Sequence, residues 1–111
     1  MLQFDDVSRV LTVAPQGELD HCMAERIRNT IDATVLKTDA KVVVFDLSEV
    51  GFMDSSGIAV VMRAQKRMRA LDGGAVLRGV PPQAKKVFAA AGIFRLIPLE
   101  EGENSDESKT E

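Results

Sequence analysis

Apolar residues in this chain fall into two patterns that alternate along its length. Short β-branched runs give way to longer stretches in which apolar positions recur every three or four residues. Leu2–Asp5 and Val10–Ala14 read as two short strands, and Asp6-Val7-Ser8-Arg9 between them makes them a hairpin. Pro15-Gln16-Gly17 breaks the pattern. Asp20 then stands where an N-cap belongs. Ala24, Ile27, Ile31 and Val35 follow at helical spacing, which predicts a helix from about His21 to Leu36. After a turn at Lys37-Thr38-Asp39-Ala40, the run from Lys41 to Leu47 is apolar enough for a strand covered on both faces. A second helix is expected from Ser55 to Leu71. Ile58, Val61, Met62, Gln65, Met68 and Leu71 form its inner face, and Arg63, Lys66, Arg67 and Arg69 a solvated one. Asp72-Gly73-Gly74 stops it, and Ala75–Arg78 is a short strand. Pro81-Pro82 opens a third helix with Ala84, Val87, Phe88 and Ala91 inward and Gly92 at its end. Ile93–Leu99 reads as a last strand, weakened at Pro98.

Strands alternating with helices predict an α/β fold. The expected sheet is mixed, antiparallel at the N-terminal hairpin and otherwise mostly parallel, and packed with three to four helices. The chain has 111 residues, which suits one small domain, expected over residues 1–99. Residues 100–111 are acidic and lack any apolar side chain, so a disordered tail is expected there. Hydrophobic residues make up 45% of the chain, yet Trp and Tyr are absent, so the core must be largely aliphatic. The net charge of -3 gives no reason to expect nucleic-acid binding. Cys22 stands alone, so it forms no internal disulfide and cannot by itself build a zinc site. A small filler role, buried or half-buried, is expected for it. No apolar run approaches the ~18 residues of a membrane span, and the start of the chain lacks a signal-peptide layout. A soluble cytoplasmic domain without metal or cofactor is the expectation.

The chemistry concentrates between Val42 and Gly57. The strand ending in Phe45-Asp46-Leu47-Ser48 leads through a short linker to Asp54-Ser55-Ser56-Gly57, and a helical pattern follows from Ile58. That places the Ser55 hydroxyl at or near the first residue of a helix, where unsatisfied backbone N–H groups gather. A serine there is either a plain cap or a phosphorylation site, because a phosphate would meet both the N–H groups and the helix dipole. Ser56 is a second hydroxyl beside it, more naturally read as a cap or packing group.

Three stretches together carry a resemblance. They are Gly17-Glu18-Leu19-Asp20-His21 entering the first helix, Phe45-Asp46-Leu47-Ser48 running to Phe52-Met53-Asp54-Ser55-Ser56-Gly57, and Ala91-Gly92-Ile93-Phe94 closing the third helix. In this order, over about Leu2 to Leu99, the chain resembles the STAS domain family, specifically the bacterial anti-sigma factor antagonists and most of all their sporulation members. The resemblance implies that Ser55 is the phosphoacceptor, that Asp20 lies near it, and that Asp20, Asp54, Ser55, Ser56, Gly57, Ile58 and Ala59 face the partner. It implies a non-enzymatic switch. The unphosphorylated form binds an anti-sigma factor that is also a serine kinase with a GHKL-type ATP site, and the sigma factor is freed. Phosphorylation ends the interaction, and a serine phosphatase restores it. Two departures stand out. Pro15-Gln16 replaces more β-like residues, and the tail is acidic where members of the family tend to carry a last amphipathic helix.

Two other readings use the same residues. One is a STAS scaffold or transport-complex component that is never phosphorylated. The other is a serine hydrolase using Ser55 and His21, which the absence of a Gly-x-Ser-x-Gly elbow and the single histidine argue against.

Overall fold

The computed structural model describes residues Leu2 to Glu100. The expected tail beyond Glu100, and any C-terminal helix in it, lie outside the described residues. Strands β1 (Leu2–Asp5) and β2 (Val10–Val13) form the expected hairpin, with Leu2 opposite Val13 and Asp5 opposite Val10. Its turn is held by the Val7 N–H, which donates to the Asp5 carboxylate at 3.0 Å. That bond, helped by Ser8, holds the Asp5 carboxyl below its ordinary pKa. The Arg9 carbonyl then accepts the N–H groups of Lys41 and Val42 at 2.8 and 3.3 Å, which ties the hairpin to the next strand.

That strand, β4 (Val42–Asp46), is the centre of the molecule. It runs parallel to β2 on one side and to β6 (Gly74–Arg78) on the other. A two-residue strand, β7 (Leu99–Glu100), pairs parallel with β6, so the order is β1-β2-β4-β6-β7. Val43, Val44 and Phe45 of β4 are all buried, as a strand covered on both faces requires. Helix α1 (His21–Lys37) buries the expected stripe of Ala24, Ile27, Ile31 and Val35. Helix α2 (Ser55–Arg69) packs against α1, β4 and β6, and α3 (Pro82–Ala90) follows the Pro81-Pro82 entry.

The structure departs from the sequence pattern at several points. Gly17–Leu19 and Val50–Met53 are strands, β3 and β5, paired parallel in a small second sheet. Each is too short to show a clear alternation, so the apolar pattern marks neither as a strand. Ile93–Leu99 is not one strand. Gly92 takes a left-handed φ of 72°, and Ile93–Arg95 form a single 3-10 turn before β7 begins. Phe94 there meets Phe88 edge to face, with centroids 6.0 Å apart. The buried face of α2 is Gly57, Val60, Val61, Ala64 and Met68, whereas Ile58, Met62 and Gln65 are half-buried and Leu71 is exposed beyond the helix end. Ala91 and Cys22 are exposed, so neither fills the core.

The face expected to be solvated is partly engaged as well. Arg63 and Arg67 both reach Asp32 on α1, at 3.1 and 3.0 Å, and cross-link the two helices. Gln65, the polar residue expected inside, has a specific use. Its side-chain carbonyl accepts the Ala75 N–H and its amide donates to the Leu96 carbonyl, both at 2.8 Å.

Candidate functional site

Parallel pairing of β3 with β5 sets Leu19 beside Met53. The next residue in each chain segment is an aspartate that caps a helix. The Met23 N–H donates to Asp20 Oδ1 at 2.9 Å at the start of α1, and the Ser56 N–H donates to Asp54 Oδ1 at 2.8 Å at the start of α2. Asp20 and Asp54 therefore sit on neighbouring strand ends, and the Asp54 N–H points at the Leu19 carbonyl at 3.4 Å. Asp54, and not Ser55, is the cap, because an extended residue with a free carboxylate satisfies the N–H groups better than a residue already in helical conformation. Ser55 is the first residue of the helix, and its hydroxyl is left for solvent or a partner.

Three features hold this serine in place. Gly57 is buried, and a Cβ there would collide with the Met53 side chain, which is itself fully buried. The helix can therefore start flush against β5 only with glycine at that position. The Gly57 N–H donates to the Asp54 carbonyl at 3.1 Å, a tighter first turn than that of α1. Finally, the Gln83 side chain of α3 makes two bonds of 2.9 Å to Met53. Its carbonyl accepts the Met53 N–H and its amide donates to the Met53 carbonyl.

Of the residues expected to face a partner, Ser55 and Ala59 are exposed, while Asp20, Asp54, Ser56 and Ile58 are half-buried. Gly57 is buried and shapes the site without presenting itself to solvent. Ser56, Ala59 and Val60 also line a groove of about 220 Å³ against His21, Ala24 and Arg28 of α1. His21 is exposed on this rim.

The sequence did not single out Gln83 or Phe52. Gln83 acts 30 residues from its partner, so no local signal marks it. Phe52 could have been found: it is a large aromatic two residues before the cap, and it remains 49% exposed opposite Glu18. Among the described residues no group of three potential metal ligands comes together, and no helix is long and apolar enough to cross a membrane.

An α/β domain with two Asp-capped helices rising side by side from parallel strands, and an exposed serine at the start of the second, defines a narrow structural class. A family model for the STAS domain matches residues 2–105, and the chain belongs to that family. It is 34% identical over 77 residues to the anti-sigma F factor antagonist of Lysinibacillus sphaericus, covering 69% of this chain and 66% of that protein. It is 29% identical over 94 residues to the anti-sigma F factor antagonist of Paenibacillus polymyxa, covering 85% and 80%. Among solved structures, the unphosphorylated form of the anti-sigma factor antagonist SpoIIAA superposes with a TM-score of 0.78 at 25% identity, covering 99% of this chain and 96% of that one. The phosphorylated form of Bacillus SpoIIAA superposes with a TM-score of 0.70 at 25% identity, covering 97% and 98%.

Proposed function

We propose that this chain is an anti-sigma factor antagonist switched by phosphorylation of Ser55. The unphosphorylated face around Asp20, Asp54, Ser55, Ser56, Ile58 and Ala59 binds an anti-sigma factor that is also a GHKL-type serine kinase, and the bound sigma factor is released. Phosphorylation ends the interaction, and a serine phosphatase reverses it. The observation that carries this reading is the exposed hydroxyl of Ser55 on the first residue of α2, freed from capping by Asp54. The similarity to proteins named anti-sigma F factor antagonists, and to a structure of phosphorylated SpoIIAA, supports it.

The physical argument is one of charge at a surface. A phosphate on Ser55 adds roughly -1.5 to -2 charges at neutral pH. The N–H groups of the first turn stabilise it by about 0.3–2 kcal/mol, while Asp54 and Asp20 oppose it. The domain need not refold to accept it. Burying an unpaired dianion against a partner costs several kcal/mol, and every 1.4 kcal/mol is about tenfold in affinity.

The test is to mix the protein with candidate anti-sigma kinases and ATP and to locate the phosphate by mass spectrometry. Ser55→Ala is expected to bind the kinase and take up no phosphate. Stoichiometric phosphate on that variant would move the acceptor to Ser56. Ser55→Asp is expected to fold and to bind at least about tenfold more weakly. Unchanged affinity in titration calorimetry would rule out charge repulsion as the switch.

A further inference from the structure

Two adjoining hollows, of about 690 and 440 Å³, form one trough on the side of the molecule, and Gln65, Arg69, Arg95 and Leu96 line both. One end lies beside Arg63 and Lys66 of α2, the other beside Ala75 of β6. Gln65 builds the trough. β7 pairs with β6 only at Leu77 and Arg78, and the next ladder bond of that register would run from the Ala75 N–H to the Leu96 carbonyl. The Gln65 side chain stands in that place, accepting from the first group and donating to the second, both at 2.8 Å. This wedge holds Leu96 and Arg95 off β6 and sets the width of the trough. Its charged lining has one sign: Arg63, Lys66 and Arg69 come from α2, Arg95 from the 3-10 turn, and all four are exposed. Among the described residues no carboxylate lines either hollow. Arg63 is bonded to Asp32, whereas Lys66, Arg69 and Arg95 have no carboxylate at ion-pair distance among the described residues. Cations in the last turn of α2 suit the negative end of its dipole, which accounts for Lys66 and Arg69. It does not account for Arg95, which belongs to another element and lines the same space.

We infer that this trough is a docking site for an extended acidic segment of a partner protein. The cations form a line and not a point. Arg63 to Arg69 spans about 9 Å along α2, and Arg95 stands on the other wall. Alternate side chains of an extended peptide lie about 7 Å apart, so two or three carboxylates of one segment reach these cations together. Met62 and Leu96, the latter 53% exposed, take its apolar contacts. Other polyanions fit less well. A bilayer is flat on this scale and reaches only the rims of a concave surface. The bases of single-stranded nucleic acid need rings to stack on, and among the described residues the cationic hollow has none. The net charge of -3 repels any polyanion that extends past the trough. Ser55 and Arg69 are the first and last residues of α2, about 21 Å apart along its axis. The trough is therefore separate from the serine face, and its assignment does not rest on the function proposed for that face.

The experiment titrates the isotope-labelled full chain with a blocked hexapeptide of alternating glutamate and leucine. At about 0.05 M salt the amide signals of Lys66, Arg69, Arg95 and Leu96, and the side-chain amide of Gln65, are expected to shift saturably with a Kd of about 1 mM or tighter. The signals of Ser55 and Ser56 should stay in place. Binding should weaken at least about tenfold at about 0.5 M salt, where the Debye length falls from about 14 to about 4 Å. Arg69→Ser with Arg95→Ser, both exposed positions, should weaken it at least about tenfold at low salt. A matching peptide of glutamine and leucine should not bind. The proposal is overturned by the absence of a saturable shift, by shifts centred away from the trough, by equal binding of the glutamine peptide, or by a double substitution without effect. Stronger perturbation of the same signals by phosphatidylserine vesicles, oligothymidylate or inorganic phosphate would assign the trough to a lipid, a nucleic acid or a free anion instead. Shifts of these signals on diluting the chain alone would assign it to a second copy.

Discussion

The two joints that begin α1 and α2 have the same plan and different contents. In each, a short parallel strand delivers an aspartate that caps a helix. After Asp20 come His21, Cys22 and Met23; after Asp54 come Ser55, Ser56 and Gly57. Asp20 caps the third helical N–H with a regular turn, in which the Ala24 N–H donates to the Asp20 carbonyl at 2.8 Å. Asp54 caps the second N–H with a tighter one. The third helical position is Met23 in one joint and a buried glycine in the other, packed on Met53. The same capping chemistry thus makes one ordinary helix start and one held rigidly with a small hydroxyl outward. What separates them is the glycine and the clamp from Gln83, not the cap.

Substitutions can break this distinction in graded steps. Gly57→Ala should have the largest effect. Alanine gains about 1 kcal/mol of helix propensity, but overpacking against Met53 costs about 1–3 kcal/mol or more, so a net loss is expected in chemical denaturation. Met53→Ala in the same chain should recover part of that loss, a coupling that a double-mutant cycle measures. Met23→Ala at the matching position of α1 should show no comparable coupling.

Gln83→Ala comes next. It leaves the Met53 N–H and carbonyl without their partners, at a cost of about 1–3 kcal/mol. Amide exchange at Met53 should speed up more than at Leu19, its neighbour across the strand pair. Asp54→Ala and Asp20→Ala should each cost about 0.5–2 kcal/mol as lost caps. Their stabilities should be alike, while binding of the proposed anti-sigma partner should suffer more from Asp54→Ala, because that cap precedes Ser55 directly. The smallest effect belongs to His21→Ala, an exposed change expected to stay within about 0.5 kcal/mol. A loss of several kcal/mol there would mean that the α1 joint is held as tightly as its neighbour.

Much of this architecture was legible in the chain. The α1 stripe was, because its four apolar residues are flanked by polar ones and face one continuous surface. The Asp20 cap was also legible, since capping is a local interaction; at α2 the same logic pointed to Ser55, one residue past the true cap, Asp54. The inner face of α2 was shifted, because that helix packs on a sheet and on α1 at once. Its close contacts use Gly57 and Ala64, which carry little hydrophobic signal. β3 and β5 were missed because three or four residues, one of them Gly51, give no readable period. The run from Ile93 to Leu99 misled because its apolar content reflects packing of a 3-10 turn: Ile93 and Ile97 are buried while Leu96 is exposed. Gln83 and the Arg63–Asp32–Arg67 link were beyond reach, since they join residues about thirty positions apart.

The Gln83 amide has one more consequence. A strand at the edge of a sheet offers its unpaired backbone groups to any other extended chain, and proteins that leave such edges open invite aggregation. β5 has β3 on one flank, and on the other the side chain of Gln83 takes both backbone groups of Met53. One side chain thus does the work of a one-residue strand, just before the serine. An incoming chain cannot extend the small sheet at Met53 without first expelling Gln83. Two copies therefore cannot pair backbone to backbone at Met53 while Gln83 stays in place, and a partner arriving on that flank meets a side-chain amide in place of a strand edge.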